Sequence, residues 1–438
     1  MKILGIETSC DETAISLIEI DEEKNTVKII GNTVHSQIDM HTPYGGVFPM
    51  LAKREHIKNI IPVLYKTLGI KSDSDAIQNT AIQNTENTGT LIEDEAMLNT
   101  LIPNIPKPDI DYISVTTGPG LEPALWVGIN FAQALSRAWN VPLIPVNHME
   151  GHILSAMIQK IHPGNINGDI VTDYGTYDLL NRRILYPALS LLISGGHTQI
   201  VLVKDIKNGT DNGTDIESMY EIVGETRDDA VGECFDKVAR TLGLAYPGGP
   251  KVSKLAEEAR TEGLTSPEPL PRPMIDSDNF DFSFSGLKTA VLYLVKKLTS
   301  TSTQNNPLDT ATTVLDQNII KGICREVEDA ITDVLISKMR KAIETYAVET
   351  IIIGGGVIAN THIRKALENL ANDSSVKLLM PETDHSTDNG LMIALAGYFN
   401  RGSAIQPSRE QLNGTSQHEQ ISLKAQGTLP LGPRSVAK

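Results

Sequence analysis

Short apolar runs separated by polar turns set the rhythm of this chain. Ile3-Leu4-Gly5-Ile6 is followed by the polar stretch Glu7-Thr8-Ser9-Cys10-Asp11-Glu12, and a second run extends from Thr13 to Ile20. Apolar runs of about four to eight residues bounded by turn residues read as buried strands. Residues 2–20 are therefore expected to form a β-hairpin with a turn of hydroxyls and carboxylates. The arrangement returns at Ala188–Ile193, the turn Ser194-Gly195-Gly196 and a second strand over His197–Val203. Two such hairpins, one opening each half, predict a duplicated α/β architecture.

Elsewhere the pattern alternates strand, glycine turn and helix. Tyr112–Thr116 reads as a strand, Thr117-Gly118-Pro119-Gly120 as a turn, and Ala124–Trp139 as an apolar-faced helix. Thr350–Ile353, Gly354-Gly355-Gly356 and a helix from Asn360 through Leu370 repeat that unit, and such a helix start can favour an anion. Ile320, Ile323, Val327, Ile331, Val334 and Leu335 predict a long amphipathic helix from about Leu315 to Tyr346, which serves packing. Phe280–Lys288 alternates apolar and polar and reads as a strand. Leu378–Met380 reads as another strand, and Ser386-Thr387-Asp388-Asn389-Gly390 as the cap of a helix over Leu391–Phe399. Residues 71–107, 161–185, 204–218 and 298–313 are polar and lack this pattern, so they read as insertions, and 401–438 as a loose tail. The lobes are expected at 1–147 plus about 388–400, and at 148–387. A nucleotide would lie in the cleft between them, as in actin-like and sugar-kinase-like proteins, an analogy of pattern.

Composition narrows the function. At 438 residues, two domains are the natural expectation, and 40% hydrophobic content supplies real cores. The longest apolar runs fall far short of about 20 residues, so no membrane span is expected. Cys10, Cys234 and Cys324 are far apart and form no CxxC pair, which fits a reduced cytoplasm. A strand starting at Lys2 leaves no room for a signal or transit peptide ahead of it, in keeping with a cytoplasmic protein. The net charge of −16, from 38 basic and 54 acidic residues, argues against an unaided grip on nucleic acid. One locally basic place is the helix after the loop Tyr44–Pro49, with Lys53, Arg54, His56 and Lys58. A solvated face explains these as well as an anion contact does.

The most specific chemistry lies in Asn147-His148-Met149-Glu150-Gly151-His152. Histidines four apart at a helix start project from one face with Cβ atoms about 5–6 Å apart, within reach of one divalent metal. The same spacing also occurs by chance on solvated helices, so a third ligand is needed. Asp388 has the right chemistry and could equally be a helix cap. Asp229, Glu233, Asp236 and Lys237 fall at helical spacing ahead of the turn Tyr246-Pro247-Gly248-Gly249-Pro250. A carboxylate facing a Gly–Gly turn can hold a ribose, and a salt-bridged surface helix beside an ordinary turn is the alternative.

The motifs NHMEGH, LLISGGHTQIV, GETRDDAVGECFDKVARTLGLAYPGGP, DFSFSGLKTA, GGGVIAN and STDNGLMIALAG, with GIETSCDETA and TTGPGL, resemble the TsaD family of tRNA threonylcarbamoyltransferases. The resemblance runs from residue 1 to about 400 outside the insertions, and DFSFSGLKTA is similar to the bacterial branch. It implies an α/β, two-lobed actin-like (ASKHA, duplicated RNase H-like) fold with a nucleotide cleft between the lobes. It implies one divalent metal, Fe(II) or Zn(II), held by His148, His152 and Asp388. The family's adenylate positions fall on Leu192, Ile193, Ser194, Gly195, Gly196, Asp236, Gly249 and Asn360. The implied reaction moves a threonylcarbamoyl group from threonylcarbamoyl-AMP to the exocyclic amine of the adenosine just 3′ of the anticodon, in tRNAs reading codons that begin with A. Asp11 and Glu12 are candidates to accept the amine proton. The implied partners are tRNA, a threonylcarbamoyl-AMP synthase, a TsaB-like paralogue and a TsaE-like ATPase, with AMP or ATP as further ligands.

The chain departs from the family pattern at two places. Where the family has GGVVPE, this chain has Gly45-Gly46-Val47-Phe48-Pro49-Met50, which removes a carboxylate, and the family's Arg after Asn360 is Thr361. Three rival readings are a metalloprotease-like hydrolase, a small-molecule kinase and a noncatalytic nucleotide-binding paralogue. In HExxH enzymes the base directly follows the first His, whereas Met149 does so here. A kinase would not need the histidine pair, and a noncatalytic paralogue would be expected to lack the metal set.

Overall fold

A computed structural model of the chain describes residues 1–70, 105–161, 175–180, 184–206, 219–304, 315–407 and 423–434. The opening hairpin forms as expected from β1 (Lys2–Glu7) and β2 (Glu12–Asp21), with Leu4 opposite Leu17 and Ile6 opposite Ile15. β3 (Thr26–Ser36) adds antiparallel to β2. β4 (Tyr112–Gly118) and β5 (Leu143–Asn147) add in parallel on the other side of β1. β6 (Ile158–Lys160) and β7 (Thr176–Leu179) extend the far edge beyond β3. The second sheet repeats the plan with β8 (Ala188–Ile193), β9 (Thr198–Val203), β10 (Tyr220–Glu225), β11 (Thr350–Gly354) and β12 (Lys377–Leu379).

The strand orders are β5-β4-β1-β2-β3-β7-β6 and β10-β9-β8-β11-β12. Leaving out β6 and β7, each sheet runs fifth-fourth-first-second-third, with the hairpin antiparallel and the later strands parallel. The duplicated, two-lobed actin-like α/β fold follows from that identity. Burial explains the strand sequences. β8 has no exposed position and reads as a continuous apolar run, as central strands covered on both faces do. β3 alternates buried and exposed positions through its middle.

Helices Pro49–Thr67 and Glu122–Trp139 share a buried cluster with Leu4, Ile6, Ile15 and Leu17, on one side of the first sheet. Helices Val231–Thr241, Gly248–Glu262, Ser285–Gln304 and Gln317–Tyr346 cover the outer side of the second. Between the sheets lie helices His148–Ser155 and Gly390–Phe399, all of whose residues are buried. One apolar cluster joins Ile3 and Ile18 of the first sheet, Met149 and Ile153, Leu391 and Leu395, and Leu192, Val201 and Ile352 of the second. The helix bearing both histidines is therefore fixed from both lobes.

Four expectations need correction. The first sheet reaches past the division drawn at residue 147, because β6 and β7 belong to it, and β7 lies inside the stretch read as an insertion at 161–185. Residues 280–288 are not a strand. The Asp228 carboxylate accepts from the backbone N–H of Phe284 and Ser285 and from the hydroxyls of Ser283 and Ser285, which starts the helix Ser285–Gln304. Phe282 and Phe284 point into the core instead. That helix also runs into the stretch read as an insertion at 298–313. Finally, residues 423–434 of the expected tail are docked. Gln426 N–H donates to Thr117 O at 2.8 Å and Ile222 N–H to Pro433 O at 3.0 Å, so the segment spans both lobes. Residues 71–104 and 207–218, from the other two insertions, lie outside the described residues.

Candidate metal and nucleotide site

The candidate metal site begins at the end of β5. Asn147 caps the next helix, its Oδ1 accepting from Met149 N–H at 2.9 Å. That places His148 and His152 one turn apart with ring centroids 4.7 Å apart and planes at 85°. At the other helix the cap is Asn389, whose Oδ1 accepts from Met392 N–H at 2.9 Å. Asp388 is thereby released from capping. Its Oδ1 lies 3.1 Å from His152 Nε2 and 3.5 Å from His148 Nε2, and one ligand atom from each residue falls within a 4.8 Å spread.

His148 is held from behind. Its Nδ1 lies 3.2 Å from Glu7 Oε2 and 3.1 Å from Ser9 Oγ, which turns Nε2 toward Asp388. This is the arrangement by which a carboxylate fixes a metal-binding imidazole. Burial opposes charge on His148, but Asp388 and Glu7 outweigh it and lift its pKa to about 9. Burial alone would raise the Glu7 carboxyl, yet the charge and hydrogen bond of His148 hold it below the ordinary value. Burial opposes the charge of Asp388 too, and His148 and His152 outweigh it, so its carboxyl sits well below the usual range. His152 is fully buried with no aligned hydrogen bond at either ring nitrogen, although its Nε2 comes within 3.1 Å of Asp388 Oδ1. A buried imidazole so placed fits a ligand waiting for a cation. His197, half-buried after the β8–β9 turn, feels the same group. Burial, then the charges of His148 and His152, lower its pKa to about 4.

Glu150 does not belong to this cluster. It is buried, with Oε1 accepting from Tyr220 OH at 3.0 Å and Oε2 from Asn400 Nδ2 at 2.6 Å. Burial raises its pKa to about 7. Both oxygens serve to tie the histidine helix to β10 and to the end of Gly390–Phe399, so Glu150 is not placed as the base of a metalloprotease.

The nucleotide positions fall into three groups. Leu192 and Ile193 are buried in β8, while Gly195 and Gly196 are exposed, with no heavy atom within 4 Å of where a Cβ would stand. Gly354 packs so closely on the helix that a Cβ there would lie 2.6 Å from His152 O. The triple-glycine loop thus meets the helix that carries both histidines. Asp236 faces the turn as expected, its Oδ1 accepting from Gly248 N–H at 2.6 Å. Its neighbours form the salt-bridged face, with Lys237 between Asp229 at 2.8 Å and Glu233 at 2.6 Å. Asn360 is engaged within the fold: Oδ1 accepts from Ile363 N–H at 3.0 Å, and Nδ2 donates to Glu328 at 2.6 Å.

Against this geometry, the family model described as TsaD, tRNA N6-adenosine threonylcarbamoyltransferase, matches residues 28–86, 85–166 and 176–395. The chain belongs to the TsaD family. It is 37% identical over 402 residues to the tRNA N6-adenosine threonylcarbamoyltransferase of Burkholderia vietnamiensis, covering 92% of this chain and 93% of that one. The protein of the same name from Thermosipho africanus is 38% identical over 398 residues, covering 91% and 94%. The one from Chromobacterium violaceum is 38% identical over 397 residues, covering 91% and 92%.

Within this TsaD-family chain, reasoning from sequence missed Glu7, Ser9 and His197. The first two close on His148 from more than a hundred residues away, and no spacing rule signals that contact. Asp11 lies in the same turn and Glu12 opens β2. Burial, then Asp11 and Asp388, raise the Glu12 carboxyl well above its ordinary value. Among the described residues no helix is long and apolar enough to cross a membrane.

Proposed function

We propose that this chain is a tRNA N6-adenosine threonylcarbamoyltransferase, moving the threonylcarbamoyl group of threonylcarbamoyl-AMP onto the exocyclic amine of the adenosine 3′ to the anticodon. The observation that carries this is a family match across most of the chain, on a fold that brings His148, His152 and Asp388 within 4.8 Å between the lobes. Those three residues would hold one divalent cation, Fe(II) or Zn(II), and two imidazoles with one carboxylate leave positions free for substrate oxygens. Such a cation, when bound, polarises the carbonyl under attack, worth several kcal/mol.

The adenine amine is a poor nucleophile because its lone pair is delocalised into the ring, so the protein must orient it and stabilise departing AMP. Glu7 and Ser9 keep His148 turned inward. The bare Gly195 and Gly196 backbone leaves room for the adenylate phosphate, and preorganised amides there would stabilise charge on the leaving group. Asp236 and Gly249 take the ribose end. Glu12, beside Asp11 at the end of the first turn, is the candidate to receive the amine proton, burial and Asp11 raising its carboxyl above the ordinary value. A net charge of −16 fits dependence on a TsaB-like paralogue and a TsaE-like ATPase, with a separate synthase supplying the activated donor. The test is transfer of label from threonine to tRNA with the synthase supplied and the other partners added or withheld. Multiple turnover is expected only with the set complete. No transfer under any combination would overturn the activity, and sustained turnover with the synthase alone would overturn the need for partners.

A further inference from the structure

The loop Tyr44–Pro49 and the helix it starts are not used by the metal or the nucleotide. Tyr44 and Phe48 are 65% and 53% exposed, in a chain with only 5% aromatic residues. Their rings lie 6.0 Å apart with planes only 21° from parallel. The loop is fastened to the opposite lobe: Arg240 donates to Gly45 O, and Thr42 Oγ1 donates to Tyr246 O at 3.3 Å. Arg240 is one helical turn from Asp236, and Tyr246 opens the turn that Asp236 holds, so the aromatic pair stands at the mouth of the ribose end. Met50, Arg54 and Lys58 follow at four-residue intervals, all exposed, and so share one helix face. Arg240 at the loop itself, and Arg54 and Lys58 along the helix that Phe48 caps, the latter 3.7 Å from Glu55, put cations and aromatic faces in one region of a protein that is acidic overall.

We propose that Tyr44 and Phe48 are a stacking platform for an unpaired nucleobase of the RNA substrate beside the target adenosine, with Arg54 and Lys58 receiving the phosphates that follow it. The proposal rests on the tRNA reading above. Single-stranded bases are held by stacking on aromatic rings next to cationic side chains, and that combination suits a loop whose bases are already unpaired.

The test uses the full chain with the complete reconstituted set and a fluorescein-labelled anticodon stem-loop RNA containing the target adenosine. Tyr44→Ala and Phe48→Ala should each weaken RNA binding by about fivefold or more and raise the KM for RNA. Turnover at saturating RNA should be kept, as should the salt dependence of binding. Tyr44→Phe and Phe48→Tyr should behave as the parent. Arg54→Ala should instead reduce the slope of log affinity against log salt by about one. Folded alanine variants with parental RNA affinity and KM would overturn the platform while leaving the transferase reading intact. Loss of a protein partner with RNA affinity unchanged would assign the face to that protein and also overturn it. If the parent chain itself transfers nothing, the transferase reading falls and the platform with it.

Discussion

The β1–β2 turn and the β8–β9 turn hold equivalent places in two copies of one sheet, yet they are built in opposite ways. The first is closed. Thr8, Ser9 and Asp11 are buried, Thr8 Oγ1 donates to Ala124 O at 3.0 Å, and Glu7 and Ser9 grip His148. His56, buried in the helix Pro49–Thr67, clamps it from below, its ring nitrogens 3.0 Å from Cys10 O and 2.8 Å from Thr13 Oγ1. The second turn is open. Ser194 and His197 bond to each other across it, at 2.8 and 3.1 Å, Ser194 O also accepts from Gly232 N–H at 3.2 Å, and a Cβ on Gly195 or Gly196 would meet no heavy atom within 4 Å. The duplication thus supplies two positions around one cluster. One became a rigid acidic wall that aims a histidine, and the other a bare backbone that an anion can approach.

The strongest way to break this comparison is at the point where both turns converge. Asp388→Ala should lower transfer to tRNA about a thousandfold or more, since loss of Lewis-acid stabilisation costs several kcal/mol. Circular dichroism should show the fold kept; a rate within tenfold of the parent would detach the cluster from the chemistry. The closed turn is tested next. Glu7→Gln should weaken metal binding about 10–100-fold in competition with a chromophoric chelator. It should regain most of its turnover at saturating metal. An unchanged metal affinity would make Glu7 a structural carboxylate.

How far the sequence led differs along the same line. The histidine pair was legible because helical spacing alone puts both rings on one face. Asp388 was legible only as one of two choices, and Asn389 decides it by taking the cap. Glu7 and Ser9 were hidden because they meet His148 only after the sheet has brought residue 7 beside residue 148. Alternation misled at Phe280–Lys288, where Asp228 captures the backbone N–H groups that a strand would give to a neighbour. The docked segment 423–434 escaped because it is fixed largely by backbone bonds and by Arg434 to Glu225 and Asp281, which leave no period to read.

The open turn invites a gentler perturbation. Gly196→Ala should leave the melting temperature unchanged, because the added methyl meets nothing within 4 Å, and should lower AMP affinity by about tenfold in calorimetry. Parental affinity would move the phosphate elsewhere. The clamp beneath the closed turn gives the smallest effect. Burial lowers His56 from 6.5 to about 4, so between those values the unfolded chain takes up a proton that the folded chain resists. The stability from this group is therefore complete above about pH 6.5 and is lost as pH falls through about 4, with a slope of at most about 1.4 kcal/mol per pH unit. His56→Gln, which keeps a donor for Cys10 O, should flatten that part of the acid-denaturation curve; an identical curve would mean that His56 is not the group titrating.

Elemental analysis of the purified protein tests the convergence of the two turns most directly. The account predicts one divalent metal per parent chain and none above background in the folded His148→Ala/His152→Ala double variant. Stoichiometric metal retained by that double variant would contradict it.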